Sequence, residues 1–278
     1  MKRSRTLNQE QEEKQLRISY SQLNRWLTCP HYHYLVASKK FVEPPNIYTA
    51  SGRSLHFLSE NLLLDYQEGV NNTPEHYLDI FAEEFKKELE GVVEPVDDSE
   101  KRLYLKIAYD ISKNYIQFIK ESLGGDFEVI KVEKEISEIF YVSDIKVHFV
   151  GYVDFFIKKD NKYYIFDLKT IKRKWNSYKR KDSKFLNQLY AYKFFICKEY
   201  KIDMEDISCN YLFVDSSMDY ERMEVKCSDK QIDELFEDVK KMVVNFYVKN
   251  NYVKNPVECK FCSCKKYYNS QKGKQNDE

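Results

Sequence analysis

A chain of 278 residues that is 42% hydrophobic and 15% aromatic is too apolar for global disorder and long enough to bury a large core. Its 45 basic and 45 acidic residues cancel, so net charge singles out no partner. The start is polar and charged, and no run has the apolar length of a bilayer span, so the sequence predicts a cytoplasmic protein with no membrane contact.

Residues 1–17 are polar and read as a disordered tail. From Ile18 to Ala37 the spacing predicts a helix, with Ser19 or Ser21 as cap and Leu23, Trp26 and Leu27 on one face. Further helices follow at Ser51–Tyr66, Pro74–Leu89 and Ser99–Leu123, the last stopped by Gly124-Gly125. The period then drops to two. Phe127–Ile136, Ile139–Tyr141, Val147–Ile157 and Tyr163–Lys169 read as strands. Phe185–Tyr200 is helical, Ile207–Val214 and Arg222–Val225 are strands, and Asp229–Lys249 is a charged amphipathic helix. The sequence therefore predicts an α/β (α+β) fold, a mixed central sheet flanked by helices. Its parts are an N-terminal helical region (18–126), a core (127–250) and a C-terminal cysteine-cluster tail with a disordered end (251–278).

Two aromatic-rich runs flank the turn Lys159-Asp160-Asn161-Lys162, a hairpin signal. Its even-length loop sets Asp154 opposite Asp167, where two like charges are destabilising unless a divalent cation bridges them. Lys169, two residues beyond Asp167, projects from the same face. Two carboxylates and an ammonium suit metal-assisted phosphodiester hydrolysis; a solvated face of mixed charge is the alternative.

Between Lys169 and Lys184 stand eight basic residues against one acid, Asp182. Lys172, Arg173, Lys174, Lys179, Arg180 and Lys181, interleaved with Trp175 and Tyr178, combine phosphate attraction with base stacking, as nucleic-acid binding requires. A solvated lysine-rich loop reads the same way. Seven cysteines without a secretory signal argue against a disulfide framework. Cys197 and Cys209 lie in apolar surroundings as small core residues, and Cys227 carries no assigned role. Cys259, Cys262 and Cys264 fall within six residues, a metal or cluster signature, with Cys29 before Pro30 as a distant fourth thiolate. Zinc and an iron–sulfur cluster both fit.

In chain order these pieces resemble the PD-(D/E)XK nuclease superfamily, and within it the RecB-like iron–sulfur exonucleases, a branch that includes the AddB nuclease domain and CRISPR-associated and phage relatives. The resemblance rests on Ser19-Tyr20-Ser21-Gln22-Leu23 leading to Cys29-Pro30, Gly52 with His56, Gly151 with Asp154, Asp167-Leu168-Lys169, Gln188 with Tyr192, and Cys259 with Cys262. It covers residues 18 to 268 and implies a restriction-endonuclease-like core. It further implies that Asp154 and Asp167 hold Mg²⁺ or Mn²⁺ with His56 and the Leu168 carbonyl. Lys169 would orient or activate the attacking water, Gln188 would position the metal shell or the DNA backbone, and Tyr192 would support the site. A sheet-strand carboxylate would come from Glu133 or Glu135. The four cysteines would hold a [4Fe-4S] cluster, with zinc as the alternative. Here the chain departs from the family: Ser263 and Tyr268 stand where the pattern has proline and a last cysteine.

The resulting expectation is a metal-dependent DNA exonuclease in recombination, repair or end processing. Its substrate would be single-stranded DNA or DNA with free ends, and its partner a helicase or recombination protein. A structure-dependent endonuclease and a non-catalytic DNA-end-binding scaffold are the competing functions.

Overall fold

The computed structural model describes residues 15–171, 174–256 and 264. Residues 15–17 do not belong to a tail: Gln15–Ser19 is strand β1, which pairs in parallel with a later strand. Its residues do alternate polar and apolar, Gln15-Leu16-Arg17-Ile18-Ser19, but over only five positions between a polar run and a helix cap. Ser19 then caps helix α1 (Tyr20–Thr28), its hydroxyl accepting from Gln22 N while the Gln22 side chain accepts from Ser19 N. Pro30 stands at the start of helix α2 (Pro30–Ala37), a position that needs no amide donor, so the single predicted helix is two.

Helices α3 (Ile47–Glu68), α4 (Pro74–Leu89) and α5 (Asp98–Leu123) form the helical layer. Asn46, Thr73 and Asp97 cap their starts, and Gly69 and Gly124 end α3 and α5 in the left-handed conformation. Next come β2 (Glu128–Val142), β3 (Ile145–Lys159) and β4 (Lys162–Ile171). The two short strands predicted across 127–141 are thus one. Helix α6 (Ser183–Tyr200), strands β5 (Ile207–Asp215) and β6 (Tyr220–Val225) and helix α7 (Asp229–Met242) complete the order, α7 running on into π-helical turns at Val243–Val248.

The sheet is mixed, as expected, and six-stranded: β1-β3-β4-β5-β6, with β2 on β3. Of its pairs β1·β3 and β4·β5 are parallel, the rest antiparallel. One face packs on α6 and α7 through Phe149, Phe195 and Leu235; the other packs on α3, α4 and α5 through Leu58, Phe81, Ile111 and Phe155. This is helices on both sides of one sheet.

One irregularity positions the site. Strand β2 pairs β3 from end to end except at the bulge near Ile130 and at Glu133 and Asp154, so β1 and β4 share the other edge of β3. There β1 pairs Lys146–Val150 and β4 pairs Phe155–Lys159, leaving Gly151–Asp154 without a ladder partner on that edge. The sheet also reverses at this point. Val153 faces the α6 layer, whereas Phe155, two residues on, faces the α3–α5 layer. On β2 the same reversal falls between Val132 and Ile136, around Glu133, which has a left-handed φ of 45°.

Candidate metal and hydrolytic site

The gap in the sheet gathers the polar residues. The hairpin register is the predicted one up to Phe155↔Phe166, with Lys159 facing Lys162 across Asp160-Asn161. Beyond Phe155 the strands part, and the Asp154 side chain replaces a ladder bond: its Oδ2 accepts from Leu168 N at 2.7 Å. From α3, His56 Nδ1 approaches the same oxygen at 3.2 Å and Glu133 Oε1 at 4.0 Å. His56, Glu133 and Asp154 each present a ligand atom within 4.8 Å of the others. An ion with ligands at about 2.1 Å spans about 4.2 Å between opposite ligands, so a small inward movement would complete this set. One imidazole with carboxylates is a hard, oxygen-rich donor set that suits Mg²⁺ or Mn²⁺.

Asp167 and Lys169 lie on the α6 side of β4. Asp167 is fully buried, and neither carboxylate oxygen accepts a well-aligned hydrogen bond among the described residues. Its counter-charge is the Lys169 ammonium, 2.5 Å from Oδ2. Lys169 Nζ also donates to Gln188 Oε1 at 3.4 Å, and Gln188 Nε2 donates to the Tyr192 hydroxyl at 2.7 Å. The i, i+4 spacing on α6 makes that second contact. The Tyr192 ring lies against β3 where Gly151 has no side chain: a Cβ there would stand 2.4 Å from the ring. Tyr211 lies beneath Lys169, ring centre 5.7 Å from Nζ.

The electrostatics are those of crowded carboxylates. Burial, with the neighbouring Asp154 charge, lifts Glu133 to about 7. Burial lifts Asp167 to about 6, against the pull of Lys169 and with the push of Asp154. Burial would depress His56, but the Asp154 carboxylate outweighs it and raises the imidazole to about 9. Burial likewise opposes ionised Asp154, and the His56 charge overrides it and holds the carboxyl low. Glu133, Asp167 and His56 all bind protons more tightly than usual here, and a divalent cation would displace those protons.

The structure brings together Asp154, Asp167, Lys169, Gln188, Tyr192, His56 and the Leu168 peptide. It also separates the two strand candidates. Glu133 faces the site, whereas Glu135 pairs with Arg17 and Tyr152 at the surface. Tyr211 was not foreseen; a buried aromatic on a core strand gives no sequence signal of its neighbour. A cavity of about 710 Å³ opens over these groups, walled by Tyr48, Gly52, Arg53 and Phe57 of α3 and by Tyr152.

The basic loop divides. Lys172 and Arg173 lie outside the described residues. Trp175 is a correction: it is 8% exposed, packed on Phe185, Tyr211 and Phe213, because an indole gains more from the core than from solvent. Lys179 lies over its ring, 4.5 Å from the centre. Arg180 is engaged bidentately by Glu221 at 2.6 and 2.8 Å and also donates to Trp175 O, so it anchors the loop. Lys174 and Lys181 are exposed, Lys174 lying 3.7 Å from Asp219, and Tyr178 is 76% exposed.

Cys259 and Cys262, like Tyr268, lie outside the described residues. Cys29 is buried at the α1–α2 junction, where its Sγ accepts from Asn255 N at 3.5 Å and Thr28 O accepts from the Asn255 side chain. Tyr34 stacks on Tyr252 with centroids 4.2 Å apart. Cys264 is buried against Leu35 and Phe41. No helix among the described residues is long and apolar enough to cross a membrane.

Comparison with known proteins agrees with this geometry. The family model of the PD-(D/E)XK nuclease superfamily matches residues 17–267. Among solved structures, the crystal structure of a candidate exonuclease from Eubacterium rectale superposes with a TM-score of 0.54 at 14% identity, over 96% of this chain and 93% of its own, which establishes a common fold. A second, SSO0001, aligns over 84% of this chain and 78% of its own at 14% identity, with a TM-score of 0.36. No curated protein matches in sequence.

Proposed function

The chain belongs to the PD-(D/E)XK nuclease superfamily, and on that premise we propose that it is a metal-dependent exonuclease that shortens DNA from its ends in repair, recombination or end processing. The observation that carries this reading is the meeting of His56, Glu133 and Asp154 beside the Asp167–Lys169 ion pair. His56, Asp154, Asp167 and the Leu168 carbonyl, with Glu133, would hold Mg²⁺ or Mn²⁺. When bound, the ion would lower the pKa of an attacking water and polarise the phosphate. Lys169 would orient that water and offset charge on the phosphoryl oxygens. Gln188 holds the ammonium on its line toward Asp167, and Tyr192 holds Gln188. Lys172, Arg173, Lys174, Tyr178, Lys179 and Lys181 would meet the phosphate backbone, with Arg180 and Trp175 fixing the loop from below.

Cys29, Cys259, Cys262 and Cys264 would hold a four-iron cluster or zinc, joining the C-terminal segment to α2. The docking of Val253 and Asn255 beside Cys29 supports this, since His31 N donates to Val253 O at 3.3 Å. Iron and zinc analysis of anaerobically prepared protein decides which, and protein free of both removes the assignment.

The decisive assay is end-labelled linear DNA and closed circular DNA with Mn²⁺ or Mg²⁺, comparing wild type with Lys169→Ala. Loss of linear DNA with intact circles, abolished in the variant, fits an exonuclease. Cut circles move the assignment to an endonuclease, and binding without hydrolysis in any divalent metal moves it to an end-binding scaffold.

A further inference from the structure

Gly52 is the sixth residue of the 22-residue helix α3, where a glycine costs helix stability relative to alanine. Such a cost is ordinarily offset by close packing or by a left-handed backbone. Neither applies: Gly52 has no left-handed φ, and a Cβ built there meets nothing within 4 Å. Gly151, whose missing Cβ admits the Tyr192 ring, shows what a packing glycine looks like in the same molecule. Helical side chains lean toward the N-terminus, so His56 leans over the turn carrying Gly52, and even so its ring stays clear of that space.

The open space belongs to the cavity above the metal-ligand cluster. Tyr48, one turn earlier on the same stripe of α3, is 47% exposed, and Tyr152 on β3 is also 47% exposed. Two partly exposed aromatic rings on the walls of a cavity that holds a hydrolytic cluster offer π-faces for nucleobases. A strand of nucleic acid crossing a helix needs a place where no side chain stands between its backbone and the floor.

We infer that Gly52 is an access-determining residue: the substrate strand crosses α3 over its bare backbone, between Tyr48 and Tyr152, to bring a phosphate to His56, Glu133 and Asp154. This deepens the nuclease reading and rests on it. The bare turn is what the helix gives up stability to keep.

Gly52→Ala and Gly52→Leu test it. Both should melt at or above the wild-type temperature, the alanine variant by roughly 1–3 °C. Both should keep the wild-type melting shift on adding Mn²⁺. Binding of a fluorescein-labelled oligonucleotide in Ca²⁺, read by anisotropy, should weaken slightly for Gly52→Ala and at least about tenfold for Gly52→Leu, with a matching rise in KM. Wild-type oligonucleotide affinity and KM in Gly52→Leu would overturn the inference, and so would loss of the Mn²⁺ response in that variant. Wild-type protein that neither binds nor degrades the oligonucleotide overturns the nuclease reading itself, a different result in a different sample.

Discussion

Asp167 and Lys169 are two residues apart on β4, and the fully buried carboxylate of the first has the ammonium of the second 2.5 Å from Oδ2. Removing that ammonium leaves an acid in the core without a counter-charge. Lys169→Met should destabilise the metal-free protein by about 1–3 kcal/mol and slow hydrolysis at least about a hundredfold. Mn²⁺ should restore part of the melting temperature without restoring the rate. Thermal melts with and without metal, beside an end-labelled DNA assay, check both halves; a variant that melts like wild type without metal would show the pair to be idle.

Gly151 and Tyr192 form a second coupled pair, since a Cβ at 151 would stand 2.4 Å from the Tyr192 ring. Gly151→Ala should therefore cost about 1–3 kcal/mol by overpacking and also disturb Gln188 and Lys169. In a Tyr192→Leu background the same substitution should cost little. A double-mutant cycle in urea measures this, and additive penalties would mean that the two residues do not compete for space.

Glu133 takes a φ of 45°, a left-handed conformation that a side-chain-bearing residue adopts with strain. Glu133→Gly should leave the metal-free protein about 1 kcal/mol more stable than Glu133→Ala, because glycine accepts that backbone freely. Both should weaken Mn²⁺ binding about tenfold, since both delete the carboxylate. Calorimetric titration with Mn²⁺ and melting curves separate the backbone effect from the ligand effect; alanine melting as high as glycine would argue that the backbone there is unstrained.

His33 supplies a pH dependence away from the hydrolytic residues. It is fully buried against Phe246, ring centroids 4.4 Å apart, and neither ring nitrogen has a hydrogen-bond partner among the described residues. Burial, aided by the Arg25 charge, lowers its pKa from 6.5 to about 4. The folded state thus binds fewer protons than the unfolded state between those values. The stability this histidine allows is intact above about 6.5 and is lost as pH falls toward 4, by up to about 3 kcal/mol. His33→Phe should flatten the fall of melting temperature between pH 7 and pH 4.5; an unchanged fall would place the acid sensitivity elsewhere.

Much of the site could be read locally. The even loop of the β3–β4 hairpin set the register up to Phe155↔Phe166, and i, i+4 spacing placed Gln188 on Tyr192. What could not be read depends on distant chain. Strand β1 ends its pairing at Val150, more than 130 positions away in sequence, and so decides that Asp154 turns its carboxylate to the Leu168 amide instead of joining a ladder. Alternation alone left Glu133 and Glu135 equivalent; the extra residue near Ile130 and the backbone of Glu133 chose between them. Trp175 sits among lysines in sequence but under Lys179 in space, because the Arg180–Glu221 clamp draws the loop onto the core.

The interruption between β1 and β4 gives this protein an unusual vulnerability. Residues 151–153 are extended and already paired along one edge, so only the positions of two neighbours keep the opposite edge open. Zipping β1 onward by a few residues would make a more regular and sturdier sheet. It would also wall off Asp154. Engineering that regularises this molecule should be expected to silence it, with catalysis surviving only where the weave has been left unfinished.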